Sequence, residues 1–262
     1  MKSEDFLKAS ISALIETIQD WLVELGGIVQ LFGSSVYWMV RPPFRIHEVL
    51  RQLDFVGAQS VLLIIITGAF TGMVSALQGY NGMNRYGAES LVGATTALAL
   101  ARELGPVLTA LMIVGRVGSA MTSELGSMKN SQQIDALASM AVAPVQYLVS
   151  PRILATTISM PFLSATFGFS GMVGAYFIST RYLNIDPGAF MSGIKDYLAA
   201  SDVAHGLIKA LVFGLILSLV ACFKGFNASG GARGVGVATT KSVVLSSVLI
   251  LFSDYVMTTI MF

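Results

Sequence analysis

Five stretches of this chain, at about 55–79, 91–115 with a continuation to about 127, 153–180, 203–223 and 237–260, are mostly apolar. A helix needs roughly 20 such residues to cross the hydrocarbon core of a bilayer. A spanning β-barrel shows short alternating segments separated by turns instead. The remaining composition agrees with helical spans: 12% of residues are charged, against about 25% in soluble domains. The fold class is therefore all-α integral membrane, with about five transmembrane helices.

The first 50 residues differ, and the chain divides into a segment over 1–50 and a five-helix transmembrane domain over 51–262. Ile11, Leu14, Ile15, Ile18, Leu22 and Leu25 recur at helical spacing, with Ser12, Glu16, Gln19, Asp20 and Glu24 largely on the other side. That pattern predicts an N-terminal amphipathic helix lying in the interface or against the bundle. Residues 28–40 are too few to span and run into Pro42-Pro43, which predicts an interfacial or re-entrant piece, with a short spanning helix as the alternative.

Lysine and arginine set orientation. Arg41, Arg45, Arg51, Lys129, Arg152, Lys224, Arg233 and Lys241 fall in one group of connections; only Arg85, Arg181 and Lys195 fall in the other. The expectation is a cytoplasmic N-terminus, cytoplasmic 128–152 and 224–236 loops, and a C-terminus on the opposite side.

Residues 115–137, GRVGSAMTSELGSMKNSQQIDAL, carry Arg116 and Glu124 among small residues. On a helix, Gly115, Ser119 and Ser123 form one row and Gly118, Thr122 and Gly126 a second. Small residues at this spacing let backbones approach closely within a membrane, inside one bundle or between two copies. Arg116 and Glu124 sit near the cytoplasmic end of the second span, where charge is tolerable. Asn130 followed by Gln133 reads as a capping box, Ile134, Leu137, Ala138 and Ala141 as one apolar stripe, and Pro144 as a stop. This short helix over about 130–142 is expected on the cytoplasmic surface, either docking a partner or closing a loop.

Arg102 and Glu103 lie within the second span, Lys209 in the fourth and Asp254 in the fifth. A charge at the bilayer centre costs about 2.5–3.5 kcal/mol on insertion scales. Neighbours on a helix point about 100° apart, so Arg102 and Glu103 need different partners. The expected pairs are Glu103 with Lys209 and Arg102 with Asp254. They either hold helices together or line a polar gate. Gly105-Pro106 predicts a kink just after them.

Several classes are disfavoured or unsupported. A net charge of +1 argues against nucleic-acid binding, which shows a strongly basic face. A single cysteine, Cys222, rules out an internal disulfide and a cysteine-rich metal site; no metal site or catalytic residue is assigned. The glycine-rich run at 225–242 has the wrong spacing for a phosphate loop. Driven transport would therefore draw on an ion gradient or on a separate ATPase. No internal repeat is visible, which weakens an inverted-repeat secondary transporter. An ion-coupled transporter using Arg102, Glu103, Lys209 and Asp254 as a relay stays open, as does a membrane scaffold.

The run RELGPVLTALMIVGRVGSAMTSELGSMKNSQQIDAL, with SPRILA at 150–155 and GARGVGVATTKSVV at 231–244, resembles the signature of the MCE-associated (MlaE-type) ABC-transporter permeases. LQGY at 77–80 and YGAESLVG at 86–93 match more loosely, and the likeness covers about 45–262. The resemblance implies five transmembrane helices, an N-terminal interfacial helix and a short cytoplasmic coupling helix, in a multi-pass protein of the bacterial inner membrane with a periplasmic C-terminus. It implies a homodimer that carries two cytoplasmic ABC ATPase subunits, which bind the ATP and magnesium, so no cofactor is expected in this chain. It implies a periplasmic MCE-domain protein as a further partner, with phospholipid or a similar hydrophobic molecule as cargo. Carried over, the coupling helix is 130–142, with Gln132, Gln133, Ile134, Asp135, Leu137 and Ala138 docking the ATPase. Gln132 stands where the family often has a carboxylate, so Asp135 remains for a charged contact. Arg102 and Glu103 match charged family positions, and Lys209 and Asp254 fall where the family commonly carries charge. Leu77, Gln78 and Tyr80, at the outer end of the first span, are the expected lipid-pocket residues.

Overall fold

A computed structural model describes residues 22–39, 41–42 and 45–261. The amphipathic pattern from Ile11 to Ile18 lies outside the described residues. Helix α1 covers 22–39 without interruption, so the end of that pattern and the short apolar piece after it are one helix. The five helices long and apolar enough to span are α2 (Ile46–Tyr86), α3 (Glu89–Asn130), α5 (Val145–Arg181), α7 (Ala200–Phe226) and α8 (Gly231–Met261). The short helix α4 (Gln133–Ser139) follows α3, and α6 (Pro187–Tyr197) precedes α7. No strand occurs among the described residues. The chain is thus a multi-pass, all-α membrane protein.

Each spanning helix outruns its apolar stretch, because backbone hydrogen bonding continues into polar flanks that sit in the interface. The sequence reading placed no helix between 180 and 203, yet α6 has a clear start signal. Asp186 caps it, its Oδ2 accepting from the Ala189 N–H at 2.8 Å, and Pro187 supplies a preset first turn.

The apolar interior falls into three groups along the bundle. Ile28, Leu125, Ile134, Leu148, Val149, Val220 and Leu245 cluster at the end that carries α1 and α4. Ile64, Leu100, Ile113, Met121, Phe167, Phe213 and Leu217 fill the middle. Ala76, Val92, Ala175, Ile185 and Phe190 close the end that carries α6.

The closest backbone approach joins α2 to α5. A Cβ on Gly72 would lie 1.8 Å from the Gly171 carbonyl oxygen, and one on Gly174 would lie 2.3 Å from that of Ala69. Only glycine permits this crossing. Gly68, Gly72 and Ala76 are all buried at four-residue spacing on α2, the small-residue signature of tight helix packing in membranes. The sequence reading looked for that signature on the second span and missed it here.

Three π-helical turns interrupt the spans, at Leu100–Leu104 and Val114–Gly118 in α3 and at Val145–Val149 in α5. The first falls at the Gly105-Pro106 step, where a kink is expected. The Gly105 N–H reaches back to the Leu100 carbonyl, and Pro106 has no N–H to continue that pattern. The Ala101 carbonyl then faces α7, where a Cβ on Gly206 would lie only 2.0 Å from its oxygen.

Candidate functional site

The π-turn at Leu100–Leu104 aims two adjacent charges at different helices. The expected Glu103–Lys209 contact is present, at 2.8 Å. Lys209 is fully buried, and its Nζ also donates to Asp254 Oδ1 at 3.0 Å and to Thr258 Oγ1 at 2.7 Å. Thr258 Oγ1 in turn lies 3.3 Å from Glu103 Oε1. One ammonium therefore ties α3, α7 and α8 together between two carboxylates.

The expected Arg102–Asp254 pair is not formed. Arg102 binds Asp202 instead, Nη2 to Oδ1 at 2.7 Å and Nε to the same oxygen at 2.9 Å. Asp202 is the first acidic residue of α7, and its other oxygen accepts the Ala199 N–H at 3.0 Å. Asp254 is instead held by Lys209. Composition offered no way to choose between two aspartates; only the position of the α7 start does.

All six polar groups lie in the half of the bundle nearer α6. The Glu103 side chain is 37% exposed although it sits about 20 Å along α3 from its start. A carboxylate at such depth is normally directed to a cavity or to another protein surface rather than to acyl chains.

Beside this cluster an apolar cavity of about 310 Å³ opens between α3, α5 and α7. Ala101, Phe169, Met172, Val203 and Gly206 are among its walls. Leu77, Gln78 and Tyr80 do not line it. Leu77 and Gln78 are exposed on α2, and Tyr80 packs against the cluster at the α6 end.

At the opposite end, α4 lies between α3 and α5. Its construction departs from the sequence reading in three ways. Asn130 is the last residue of α3 rather than a cap, and Gln132 precedes α4 without a capping hydrogen bond. Pro144 precedes the next helix instead of ending this one. Gln132 and Ala141, both at φ 58°, bracket α4 in the left-handed region, an uncommon conformation for residues with a Cβ. The third departure concerns the apolar stripe. Ile134 is buried in the core and the half-buried Leu137 packs against it, so these two seat α4 on the bundle. Gln132, Gln133, Asp135, Ala138 and Met140 are exposed. Asp135 pairs with Lys129 at 2.9 Å.

The flanking charges brace this end. Arg152, buried at the start of α5, pairs with Glu124 of α3 at 2.9 Å and donates to the Leu148 carbonyl. Arg116 does not approach Glu124. Its guanidinium donates to the Phe55 carbonyl, Ser60 Oγ and Gln59 Oε1. Those groups flank Gly57, where the α-helical geometry of α2 gives way to a 3-10 turn over Ala58–Ser60. The two small-residue rows also part company. Gly118, Thr122 and Gly126 are buried, Thr122 Oγ1 sharing hydrogen bonds with the Ala221 carbonyl and Ser242 Oγ. Gly115 and Ser123 are exposed and Ser119 is half-buried, with no described residue packed over Gly115.

Among the described residues no group of side chains could hold a metal ion. A family profile described as permease MlaE matches residues 49–260. The chain is 39% identical over 256 residues to the intermembrane phospholipid transport system permease protein MlaE of Haemophilus influenzae, covering 96% of this chain and 97% of that one. It is 41% identical over 237 residues to a probable ABC transporter permease protein of Rickettsia felis, covering 90% and 92%. It is also 33% identical over 235 residues to the chloroplastic protein TRIGALACTOSYLDIACYLGLYCEROL 1 of Arabidopsis thaliana, covering 90% of this chain and 65% of that one.

Proposed function

Since this chain belongs to the MlaE permease family, we propose that it is the membrane subunit of an ATP-driven lipid transporter. It moves phospholipid or a similar hydrophobic molecule between the inner membrane and a periplasmic MCE-domain protein. A separate cytoplasmic ABC subunit binds ATP and magnesium and hydrolyses the nucleotide. The family likeness over nearly the whole chain carries this reading.

Three structural features support it. The short helix α4 is anchored inward by Ile134 and presents Gln132, Gln133, Asp135 and Ala138 outward, as a docking element must. The Arg152–Glu124 bridge fixes α3 to α5 on either side of it, so a push on α4 reaches two spans at once. The 37% exposure of Glu103 and the exposed Gly115 and Ser123 favour a second copy over acyl chains against α3, which fits a homodimer. The excess of lysine and arginine at the α4 end supports a cytoplasmic N-terminus and α4 and a periplasmic C-terminus.

The test is native mass spectrometry of the tagged protein released gently from its own membrane. Two copies of this chain with two ATPase subunits and bound phospholipid is the expected result. A chain that emerges without an ATPase under several mild detergents would overturn the reading and favour ion coupling through Lys209 and its carboxylates.

A further inference from the structure

At the α4 end a second cavity, of about 570 Å³, lies between α1, the α7–α8 turn and the first turns of α8. It sits where the apolar spans give way to a polar connection, since α7 ends at Phe226 and α8 begins at Gly231. Part of its wall is apolar, from Val23, Phe223 and Val237. The rest carries Lys224, Arg233, Lys241 and the Glu24 carboxylate. Lys224 is paired with Glu24, which neutralises both. Arg233 and Lys241 form no salt bridge with any described residue. They stand about 12 Å apart along α8 on the face that borders the cavity, within mutual reach of their long side chains. Among the described residues the cavity thus has two surplus positive charges, an apolar wall and a place at the membrane boundary. Basic pockets of this kind between spanning helices bind anionic head groups.

We propose that this cavity binds the head-group phosphate of an anionic phospholipid, held by Arg233 and Lys241, with the lipid's apolar part against Val23, Phe223 and Val237. This lipid is resident rather than cargo. Its assignment to the cytoplasmic leaflet rests on the orientation proposed above; the binding itself does not.

The experiment titrates delipidated, detergent-solubilised protein with phosphatidylglycerol, phosphatidylcholine or inorganic phosphate, and reads occupancy by native mass spectrometry. Each basic residue near an anionic head group contributes about fivefold in affinity. Arg233→Gln and Lys241→Gln should each weaken phosphatidylglycerol binding about fivefold, and the double variant about 25-fold. Phosphatidylcholine retention should not change, and the charge-keeping variant Arg233→Lys/Lys241→Arg should bind as the parent does. Unchanged phosphatidylglycerol affinity in the double glutamine variant would overturn the proposal. So would displacement of the lipid by millimolar inorganic phosphate, which would mark a site for a free anion. Should the glutamine variants fail to fold, salt dependence of the parent decides: added sodium chloride should weaken phosphatidylglycerol binding, and salt-independent binding would overturn the site. ATPase co-purification and lipid movement test the transporter reading separately and do not enter this measurement.

Discussion

Lys209 has the most demanding environment in the bundle, and replacing it with methionine makes the sharpest test. The side chain is fully buried, with Glu103 at 2.8 Å, Asp254 at 3.0 Å and Thr258 at 2.7 Å. Methionine keeps the volume and removes the charge, leaving two carboxylates beside each other without a cation. Deleting one partner of a buried ion pair costs about 3–5 kcal/mol. Glu103 and Asp254 are 37% and 19% exposed, so partial solvation moves the expectation to the lower end, about 3 kcal/mol. For a chain of this size that corresponds to a fall of about 6–12 °C in melting temperature. The triple variant Glu103→Gln/Lys209→Met/Asp254→Asn carries no net charge at the site and should recover more than half of the loss, because neutral side chains need no counter-ion. Thermal unfolding in one detergent, followed for the parent and both variants, supplies the numbers. If Lys209→Met melts within about 2 °C of the parent, the claim that this ammonium holds α3, α7 and α8 together is wrong. Lipid transport by the triple variant then separates two roles: a stable protein that no longer transports assigns the cluster to gating, and one that transports normally assigns it to structure.

Four further outcomes are expected. Gly72→Ala should depress folded yield and melting temperature strongly, since its Cβ would fall 1.8 Å from the Gly171 oxygen and overpacking costs about 1–3 kcal/mol or more; an unchanged melting temperature would refute the close α2–α5 crossing. Ala138→Glu, on the exposed face of α4, should leave the melting temperature alone and reduce ATPase co-purification, whereas Ile134→Asp should lower both; the reverse pattern would show that the stripe, not the outward face, docks. Arg116→Leu should cost about 1–3 kcal/mol by removing the charged donor of the Phe55 carbonyl beside Gly57, read in the same unfolding assay. Arg152→Met should destabilise the α4 end through loss of the Glu124 bridge, seen as faster amide exchange at 124–153, and equal exchange rates would remove the brace from the argument.

Much of the fold is legible in the residues because hydrocarbon length is a one-dimensional constraint. Each span must supply its own apolar run and satisfy its own backbone, so five runs mean five helices whatever their packing. Local signals for α6 were also present, in Asp186 and Pro187, although the sequence reading passed over them. The bracketing of α4 was not legible: nothing in SQQIDALASMA announces left-handed backbone at Gln132 and Ala141, which the junctions with α3 and α5 impose. The direction of the α4 stripe is not legible for a related reason. An amphipathic pattern shows that one face is apolar, but not whether that face turns to its own bundle or to a partner.

The number of spans, the costly charges within them and the glycines that allow close crossings are all written in the order of residues. Which groups meet is a matter of packing. Arg102 takes Asp202 because the start of α7 brings that carboxylate within 2.7 Å, while Lys209 holds Asp254. Of two equally spaced small-residue rows, one is buried against Ala221 and Ser242 and the other largely exposed, because the rotation of α3 in the bundle selects between faces that sequence spacing alone leaves equivalent. Periodicity is a property of one helix; partnership depends on helix rotation and relative height, which are set jointly by every contact in the bundle.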